Sequence, residues 1–350
     1  MLASCSLAQA KPPRSFYGVV PQGKLSAADI QRMGQGRVGT IRATLPWAEI
    51  DPTPLAGDLR WKDYDAIVGA AAEEQITVLP TAYSVPKWVW QLEGCKEGDG
   101  PCSIMAPQSQ LGLSSWRAFL GAAVERYGPD GSFWAAHPSI PERPIRVWQI
   151  WNEQNSPGFY RPIPDVGDYG RLLAAAAEAI RGRDPGAQIV LGGLFRYPLG
   201  GREGGIRATD YLRELYARGL SDAFDGVAIH PYAGHVSGVR HQVKRMTNVI
   251  DESGDDASVW ITELGWASGG KQTPLNRGPT GQAHQLTEAF RWFTAVGKRL
   301  DIRLVAWFAW RDVPAAESRC KWCARSGLFR SGSLVAKPAW KAFRRFTGGS

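Results

Sequence analysis

Short apolar runs alternate with longer amphipathic stretches along the whole chain. The apolar runs are rich in β-branched and aromatic residues and are too short to form a helix face, which is typical of buried strands. They predict eight strands, at residues 16–20, 38–45, 76–82, 145–151, 188–194, 224–229, 258–262 and 302–309. The stretches between them have helical spacing and predict helices at residues 26–33, 62–74, 115–127, 167–181, 207–218, 239–253, 281–300 and 337–346.

The alternation of these elements predicts a (β/α)8 TIM barrel. Strands that are apolar on both faces are typical of a parallel sheet covered by helices. Eight such units fit a barrel of about 250 residues with insertions in its loops. A doubly wound open sheet is the alternative, but the segment "GVVPQGKLS" around the end of the first strand lacks the Gly-rich phosphate-binding turn of that fold. We therefore expect one TIM-barrel domain over residues 14–350.

Composition and charge narrow the class of protein. The chain has 350 residues, of which 44% are hydrophobic and 21% charged, so it can bury a large core. No apolar run approaches the roughly 18 residues of a membrane span. The formal charge is +8, but the 41 Lys and Arg are spread without a basic block, so the charge does not favour a nucleic-acid partner. An anionic polysaccharide remains compatible with it.

Four of the five cysteines form two local pairs in loop-like sequence. Cys95 and Cys102 bound "CKEGDGPC" after the third strand, and Cys320 and Cys323 bound "CKWC" after the eighth. This spacing predicts two short-loop disulfides, which indicate an oxidising compartment. A four-cysteine zinc site is the alternative, although the two spacings are unequal.

Residues 1–13 are predicted to be the remainder of a signal peptide or lipoprotein leader, followed by a linker. The tripeptide "AQA" at 8–10 has the small-x-small form of a cleavage site, and "LASC" at 2–5 resembles a lipobox. Both signals need a hydrophobic stretch upstream that this sequence lacks. We expect a secreted or cell-surface protein, with Cys5 as a candidate for lipid attachment.

Aromatic residues follow most of the predicted strands. In a TIM barrel the chemistry lies at the carboxyl ends of the strands, so these residues are expected around the mouth. Flat apolar rings with polar edges match the C–H faces of sugar rings. The mouth is therefore predicted to bind carbohydrate, with packing of loops against the barrel as the alternative for each ring. The rings in question are Trp47, Trp88, Tyr160, Tyr232, Trp266 and Trp310.

Two glutamates occupy equivalent places in the fourth and seventh units. "RVWQIWNEQN" and "SVWITELGWAS" are apolar runs that deliver Glu153 and Glu263 where each strand ends. Two carboxyl groups facing each other across a mouth are what hydrolysis of a glycosidic bond requires.

"WNEQN" and "TELGW" resemble the acid/base and nucleophile signatures of clan A glycoside hydrolases, which are retaining enzymes on TIM barrels. The resemblance extends from residue 14 to about 346 and is closest to glycoside hydrolase family 39 or to family 5 relatives. It implies that Glu153 is the general acid/base and Glu263 the nucleophile. The sequence departs from the pattern at Gln154, where many members have proline, and it is too short for the accessory β-domain of family 39 xylosidases.

The resemblance also implies several substrate contacts. Asn152 would bind the sugar 2-hydroxyl, and Arg42, in "TIRATLPW", would lie near the nucleophile. In "IHPYA", His230 and Tyr232 correspond to the histidine and tyrosine of strand six. The strand-eight tryptophan beneath the reacting sugar would be Trp310 or Trp307.

These features predict a retaining hydrolase that cleaves β-glycosidic bonds of a polysaccharide or oligosaccharide by double displacement. We expect a monomer with no cofactor or metal and an endo-acting cleft, with hydrolysis and transglycosylation both open. Metal-dependent hydrolysis is disfavoured because the five histidines are scattered. The competing hypothesis is a non-catalytic carbohydrate-binding TIM barrel in a cell-surface assembly.

Overall fold

Eight parallel strands pair in chain order around a closed barrel. In the computed structural model, which describes residues 11–53, 59–195, 204–318, 320 and 322–349, each strand lies between its two neighbours in sequence. Closure comes from the pairing of the first strand with the eighth, for example Val19 with Trp307, and of the fifth with the sixth, at Val190 and Gly226. The strands are β1 Tyr17–Val20, β2 Thr40–Pro46, β3 Thr77–Tyr83, β4 Val147–Ile150, β5 Gln188–Leu191, β6 Gly226–His230, β7 Ser258–Leu264 and β8 Ile302–Phe308. The TIM-barrel prediction is confirmed, and the doubly wound alternative is wrong.

Helices surround the barrel in the described parts of the chain. A two-residue strand, Leu194–Phe195, continues β5 and pairs with β6. The long helices are α1 Ala27–Gln35, α2 Lys62–Glu73, α3 Gln110–Tyr127, α4 Val166–Arg181, α5 Ala208–Ala217, α6 Val236–Glu252, α7 Gly278–Val296 and α8 Pro338–Thr347. Short α-helical turns lie at Trp47–Ile50, Lys87–Leu92 and Ser132–Ala136. Short 3-10 turns lie at Arg14–Phe16, Cys102–Ile104, Ser221–Ala223, Ala315–Glu317 and Cys323–Arg325.

Among the helices, the predicted first residue differs most from the observed one in α3. The predicted start at residue 115 is wrong, because the helix begins at Gln110. Ser109 caps it, with its side-chain oxygen accepting a hydrogen bond from the Gly112 N–H at 3.0 Å. The cap satisfies an N–H that has no partner within the helix, which fixes the start one turn earlier.

Alternation along each strand divides the apolar side chains into two layers. In β8, Leu304, Ala306 and Phe308 belong to the cluster inside the barrel. Val305 and Trp307 belong to the larger core, where the strands pack against the helices. Successive side chains of a strand point to opposite faces, so a shift of one residue decides whether a ring faces the barrel interior or the helices.

The four loop cysteines form the two predicted disulfides, Cys95–Cys102 after β3 and Cys320–Cys323 after β8. A bonded cysteine has no thiolate to offer a metal, so the zinc alternative is wrong. None of the helices in the described residues is long and apolar enough to cross a membrane. The predicted leader, including Cys5, lies almost wholly outside the described residues, so the lipid anchor stays a prediction.

Candidate active site

The chain leaves β4 in a turn that brings two adjacent side chains to the mouth. Trp151 and Glu153 have φ angles of 71° and 46°, in the left-handed region that non-glycine residues rarely occupy. In a regular strand Asn152 and Glu153 would point to opposite faces. The left-handed residues interrupt this alternation at a cost of order 1–3 kcal/mol each, which the surrounding contacts must offset.

Gln154 and Asn155 supply contacts that hold this turn, and both are fully buried. The Asn155 amide donates to the carbonyls of Phe195, at 2.6 Å, and Ile206, at 2.8 Å, and its oxygen accepts from the Phe195 N–H at 3.1 Å. Gln154 Nε2 donates to the Gly192 carbonyl at 3.1 Å. The polar residues that follow β4 therefore fasten the Glu153 turn to the neighbouring β5 segment. Sequence reasoning missed this role.

A buried arginine holds Glu263 and its neighbours in place. Arg42, on β2, donates from Nη1 to Glu263 Oε1 at 2.7 Å, from Nη2 to Asn152 Oδ1 at 2.7 Å and from Nε to Gln149 Oε1 at 2.6 Å. The Tyr232 hydroxyl donates to Glu263 Oε2 at 2.8 Å. Burial, followed by the neighbouring Glu263 carboxylate, raises the pKa of Tyr232, so this hydroxyl keeps its proton. Both oxygens of Glu263 are thus held by donors.

His230 joins the two glutamates. Its Nδ1 lies 2.7 Å from Glu153 Oε1 and 3.7 Å from Glu263 Oε2, and the ring is fully buried. A Cβ added at Gly193 would lie 2.0 Å from His230 Nε2. Only glycine leaves room for the imidazole at this position in the loop after β5.

The two carboxyl groups are close together and their pKa values are displaced in opposite directions. One oxygen of each glutamate and a ring nitrogen of His230 all lie within 4.8 Å of one another. Burial raises the pKa of Glu153, and Glu263 adds to this, against the lowering effect of His230. Burial would also raise the pKa of Glu263, but the net shift is downward: the Arg42 guanidinium and the Tyr232 hydrogen bond lower it, and a positive charge on His230 would lower it further. Opposite shifts in a pair of carboxyl groups separate an acid from an anionic partner.

The same three side chains are of metal-ligand type. However, Glu263 already accepts hydrogen bonds on both oxygens, from Arg42 and Tyr232. A cation placed among them would compete with the Arg42 guanidinium for the same carboxylate. The arrangement therefore favours proton transfer and nucleophilic attack over metal binding.

Most of the aromatic residues predicted at the mouth are packing groups. Trp88 and Tyr232 are half-buried. Trp310 donates from Nε1 to the buried Asp29, and Trp266 donates to the Ala233 carbonyl. The rings with no accessible surface are Trp47, Tyr160, Trp266, Trp307 and Trp310. The prediction that these five line the mouth needs correction, because a ring without accessible surface cannot touch a sugar.

Two rings that sequence reasoning missed lie beside Tyr232 instead. Phe308 points into the barrel, and Trp322 lies between the cysteines of the second disulfide. The Trp322 ring centroid is 4.8 Å from that of Tyr232 and 6.0 Å from that of Phe308. Phe308 lies two residues after Ala306 in β8, so the alternation of side chains along the strand predicts that both face the barrel interior. The place of Trp322 depends on the path of the disulfide loop.

Comparison with known proteins supports the barrel fold. The family model described as the glycosyl hydrolase catalytic core matches residues 198–336, which include Glu263, His230 and Tyr232. Comparison with curated protein sequences gives no match. Among solved structures, the chain is similar to a family 39 glycoside hydrolase from Bacteroides cellulosilyticus WH2, with 19% identity and a TM-score of 0.67 over 96% of this chain and 64% of that one.

Two further structures have similar barrels. A monomeric β-xylosidase from Caulobacter crescentus CB15 has 18% identity and a TM-score of 0.68, over 96% of this chain and 69% of that chain. An intracellular xylanase from Thermoanaerobacterium saccharolyticum JW/SL-YS485, in complex with xylotriose, has 18% identity and a TM-score of 0.61, over 95% of each chain.

The chain shares the barrel of these glycoside hydrolase structures and carries a close pair of carboxyl groups near the carboxyl ends of β4 and β7. The structural similarities show the shared barrel, and the family model links its second half, with Glu263, to the glycosyl hydrolase catalytic core. The chain spans less than two thirds of the length of the family 39 enzyme.

Proposed function

We propose that the protein is a retaining glycosidase that cleaves β-glycosidic bonds of a polysaccharide or oligosaccharide by double displacement. The observation that carries this proposal is the approach of the Glu153 and Glu263 carboxyl oxygens to within 4.8 Å. Retaining enzymes hold their two carboxyl groups roughly 5–5.5 Å apart, whereas inverting enzymes separate them by roughly 6.5–9.5 Å to admit a water molecule.

In the first step the ionised Glu263 attacks the anomeric carbon. Glu153 gives its proton to the leaving oxygen as the glycosidic C–O bond breaks, which leaves a glycosyl ester on Glu263. In the second step Glu153, now ionised, takes a proton from water, whose oxygen displaces the ester and restores both carboxyl groups. The raised pKa of Glu153 and the lowered pKa of Glu263 suit these starting states.

Asn152 is well placed to bind the sugar 2-hydroxyl. Its Oδ1 accepts from Arg42 at 2.7 Å, which fixes the side chain and leaves Nδ2 as a donor. A hydrogen bond to the 2-hydroxyl strengthens as the ring flattens toward an oxocarbenium ion. The Arg42 guanidinium thus orders the nucleophile and this donor together.

The sugar is proposed from structural similarity. Two of the similar structures are a β-xylosidase and a xylanase, so β-linked xylose oligomers are the first substrates to test. The endo-acting prediction rested on aromatic rings around the mouth. Five of those rings are buried, so product lengths have to decide between endo and exo action. Action outside the cytoplasm stays part of the proposal, and the two disulfides support it.

The test combines turnover with stereochemistry. A panel of 4-nitrophenyl β-glycosides and xylotriose is assayed with the wild type, Glu153→Gln and Glu263→Gln, and the first-formed anomer is identified by proton NMR. We expect retained configuration and at least about a hundredfold loss of kcat in each variant. Glu178→Gln is the control, because that glutamate lies on the surface in an ion pair with Arg117. Inverted product, or wild-type turnover by Glu263→Gln, would contradict the proposal.

A further inference from the structure

Beneath the two glutamates, a chain of buried polar side chains crosses the barrel interior. Gln149 Oε1 accepts from Arg42 Nε at 2.6 Å and from Thr81 Oγ1 at 3.0 Å. Two donors at this oxygen fix which way the amide points, because a flipped amide would set its N–H groups against them. Gln149 Nε2 therefore donates, to the Leu191 carbonyl at 3.1 Å and to Thr262 Oγ1 at 3.3 Å.

This orientation decides the role of the Thr262 hydroxyl. Its oxygen accepts from Gln149, so its own hydrogen needs an acceptor. Within the described residues the other partner of Thr262 Oγ1 is His230 Nε2, at 3.0 Å. Nε2 is then the accepting nitrogen, and the ring hydrogen lies on Nδ1, which points at Glu153 Oε1 at 2.7 Å. The hydrogen-bond network thus assigns a tautomer to the buried imidazole.

We propose that Thr262, oriented by Gln149, is a positioning residue that fixes His230 as the neutral tautomer protonated on Nδ1. In this state His230 donates to Glu153 and cannot accept from it. The acid proton of Glu153 then stays on the oxygen that faces the leaving group. The inference rests on the proposed function only for this last step.

The opposite tautomer would impair the chemistry. With the hydrogen on Nε2, Nδ1 would be an acceptor 2.7 Å from Glu153, and the acid proton would be donated to the imidazole instead of the glycosidic oxygen. The other groups that face the ring are Glu263, with Oε2 3.7 Å from Nδ1, and Tyr232, with ring centroids 6.3 Å apart. Glu263 is paired with Arg42, so the surroundings of a neutral ring are balanced in charge.

The first test reads the tautomer directly. Protein labelled with 15N in its five histidines is studied by NMR without substrate, and His230 is assigned by the signal lost in His230→Asn. We expect a protonated Nδ1 and an unprotonated Nε2 in the wild type and in Thr262→Ser, which keeps the hydroxyl. In Thr262→Val we expect this single state to be lost. An imidazolium, or a ring protonated on Nε2, in the wild type would overturn the inference.

The second test follows kinetics on the 4-nitrophenyl β-glycoside that the wild type turns over fastest. Thr262→Val is expected to lower kcat about tenfold with KM unchanged, because one hydrogen bond of about 1.4 kcal/mol corresponds to that factor. The basic limb of its pH profile should move to higher pH, because a bond from the Glu153 O–H to Nδ1 favours the protonated carboxyl group. Thr262→Ser should restore kcat to within about twofold of the wild type.

Thr247→Val is the control for loss of a buried hydroxyl, because Thr247 lies in α6 and bonds only to the Lys244 carbonyl within the described residues. An unchanged pH profile and kcat in Thr262→Val would overturn the inference. If Thr262→Val fails to fold, the NMR spectra of the wild type and Thr262→Ser still show which ring nitrogen of His230 is protonated. A wild type with no turnover contradicts the proposed function alone, whereas an active wild type with the other tautomer contradicts only this inference.

Discussion

Removal of the Arg42 guanidinium should change both the stability and the pH response of the protein. Arg42→Met keeps most of the side-chain volume but deletes the donors to Glu263, Asn152 and Gln149. Arg42 is only 5% exposed, so Glu263 would be left with an uncompensated buried charge. Breaking a buried pair in this way costs about 3–5 kcal/mol, well above the 0–1 kcal/mol of a surface pair.

The loss should depend on pH in a defined direction. The folded-state pKa of Glu263 is lowered, so its ionisation stabilises the protein above the unfolded value of about 4.3, and this contribution is lost as pH falls. Without Arg42 that pKa rises, and each unit of change is worth about 1.4 kcal/mol at neutral pH. The difference in unfolding free energy between the wild type and Arg42→Met should therefore be largest near pH 7 and smaller near pH 4.

Urea denaturation at the two pH values measures this difference. Glu263→Gln in the Arg42→Met background removes the unpaired buried carboxylate and should recover part of the lost free energy of unfolding. Arg126→Met is the matched control, because Arg126 pairs with Asp65 in a more exposed two-point contact and should cost less. A cost below about 1 kcal/mol at pH 7, or strictly additive losses in the double variant, would refute the reasoning.

Three further outcomes are expected. Glu153→Gln should raise the melting temperature at pH 7 but not below about pH 4. Burial raises the folded-state pKa of Glu153, so stability is lost as pH rises from the unfolded value of about 4.3 through the raised folded-state value; an unchanged melting temperature at pH 7 would contradict this. Trp322→Ala should raise KM about tenfold, with a smaller change in kcat, for the glycoside that the wild type turns over fastest, because the ring lies beside Tyr232 and Phe308 and is expected to contact the sugar. An unchanged KM in steady-state kinetics would exclude this sugar contact. Lys337→Met breaks a buried ion pair with Asp312 and should lower the free energy of unfolding by about 3–5 kcal/mol. Urea denaturation measures this loss, and an unchanged denaturation midpoint would contradict it.

The barrel could be predicted because its strands are apolar on both faces and regularly spaced. Glu153 and Glu263 stood out for a related reason, since each is a carboxyl group at the end of a run that is otherwise buried. Such signals are local in sequence. They can be recognised without knowledge of the partner strand or of the exact register between strands.

The face of the strand on which an individual ring lies depends on its place in the alternation of side chains, which the composition of the apolar run does not determine. Trp307 and Phe308 are adjacent in β8, and one faces the helices while the other faces the barrel interior. The contact of Thr262 with His230 joins residues 32 positions apart, on neighbouring strands. The left-handed backbone at Glu153 has no sequence signal, because glycine is the residue usually found there. These features follow from packing and strand register.

In the proposed mechanism Glu263 becomes covalently bonded to the sugar during turnover. The most direct test is incubation with a 2-deoxy-2-fluoro β-glycosyl fluoride, which slows both steps but spares the first enough to trap the ester, followed by peptide mass spectrometry. We expect one added fluoroglycosyl group per chain, on the peptide that contains Glu263 and absent from Glu263→Gln. A label on Glu153, or turnover of a good substrate with no trapped ester, would contradict it.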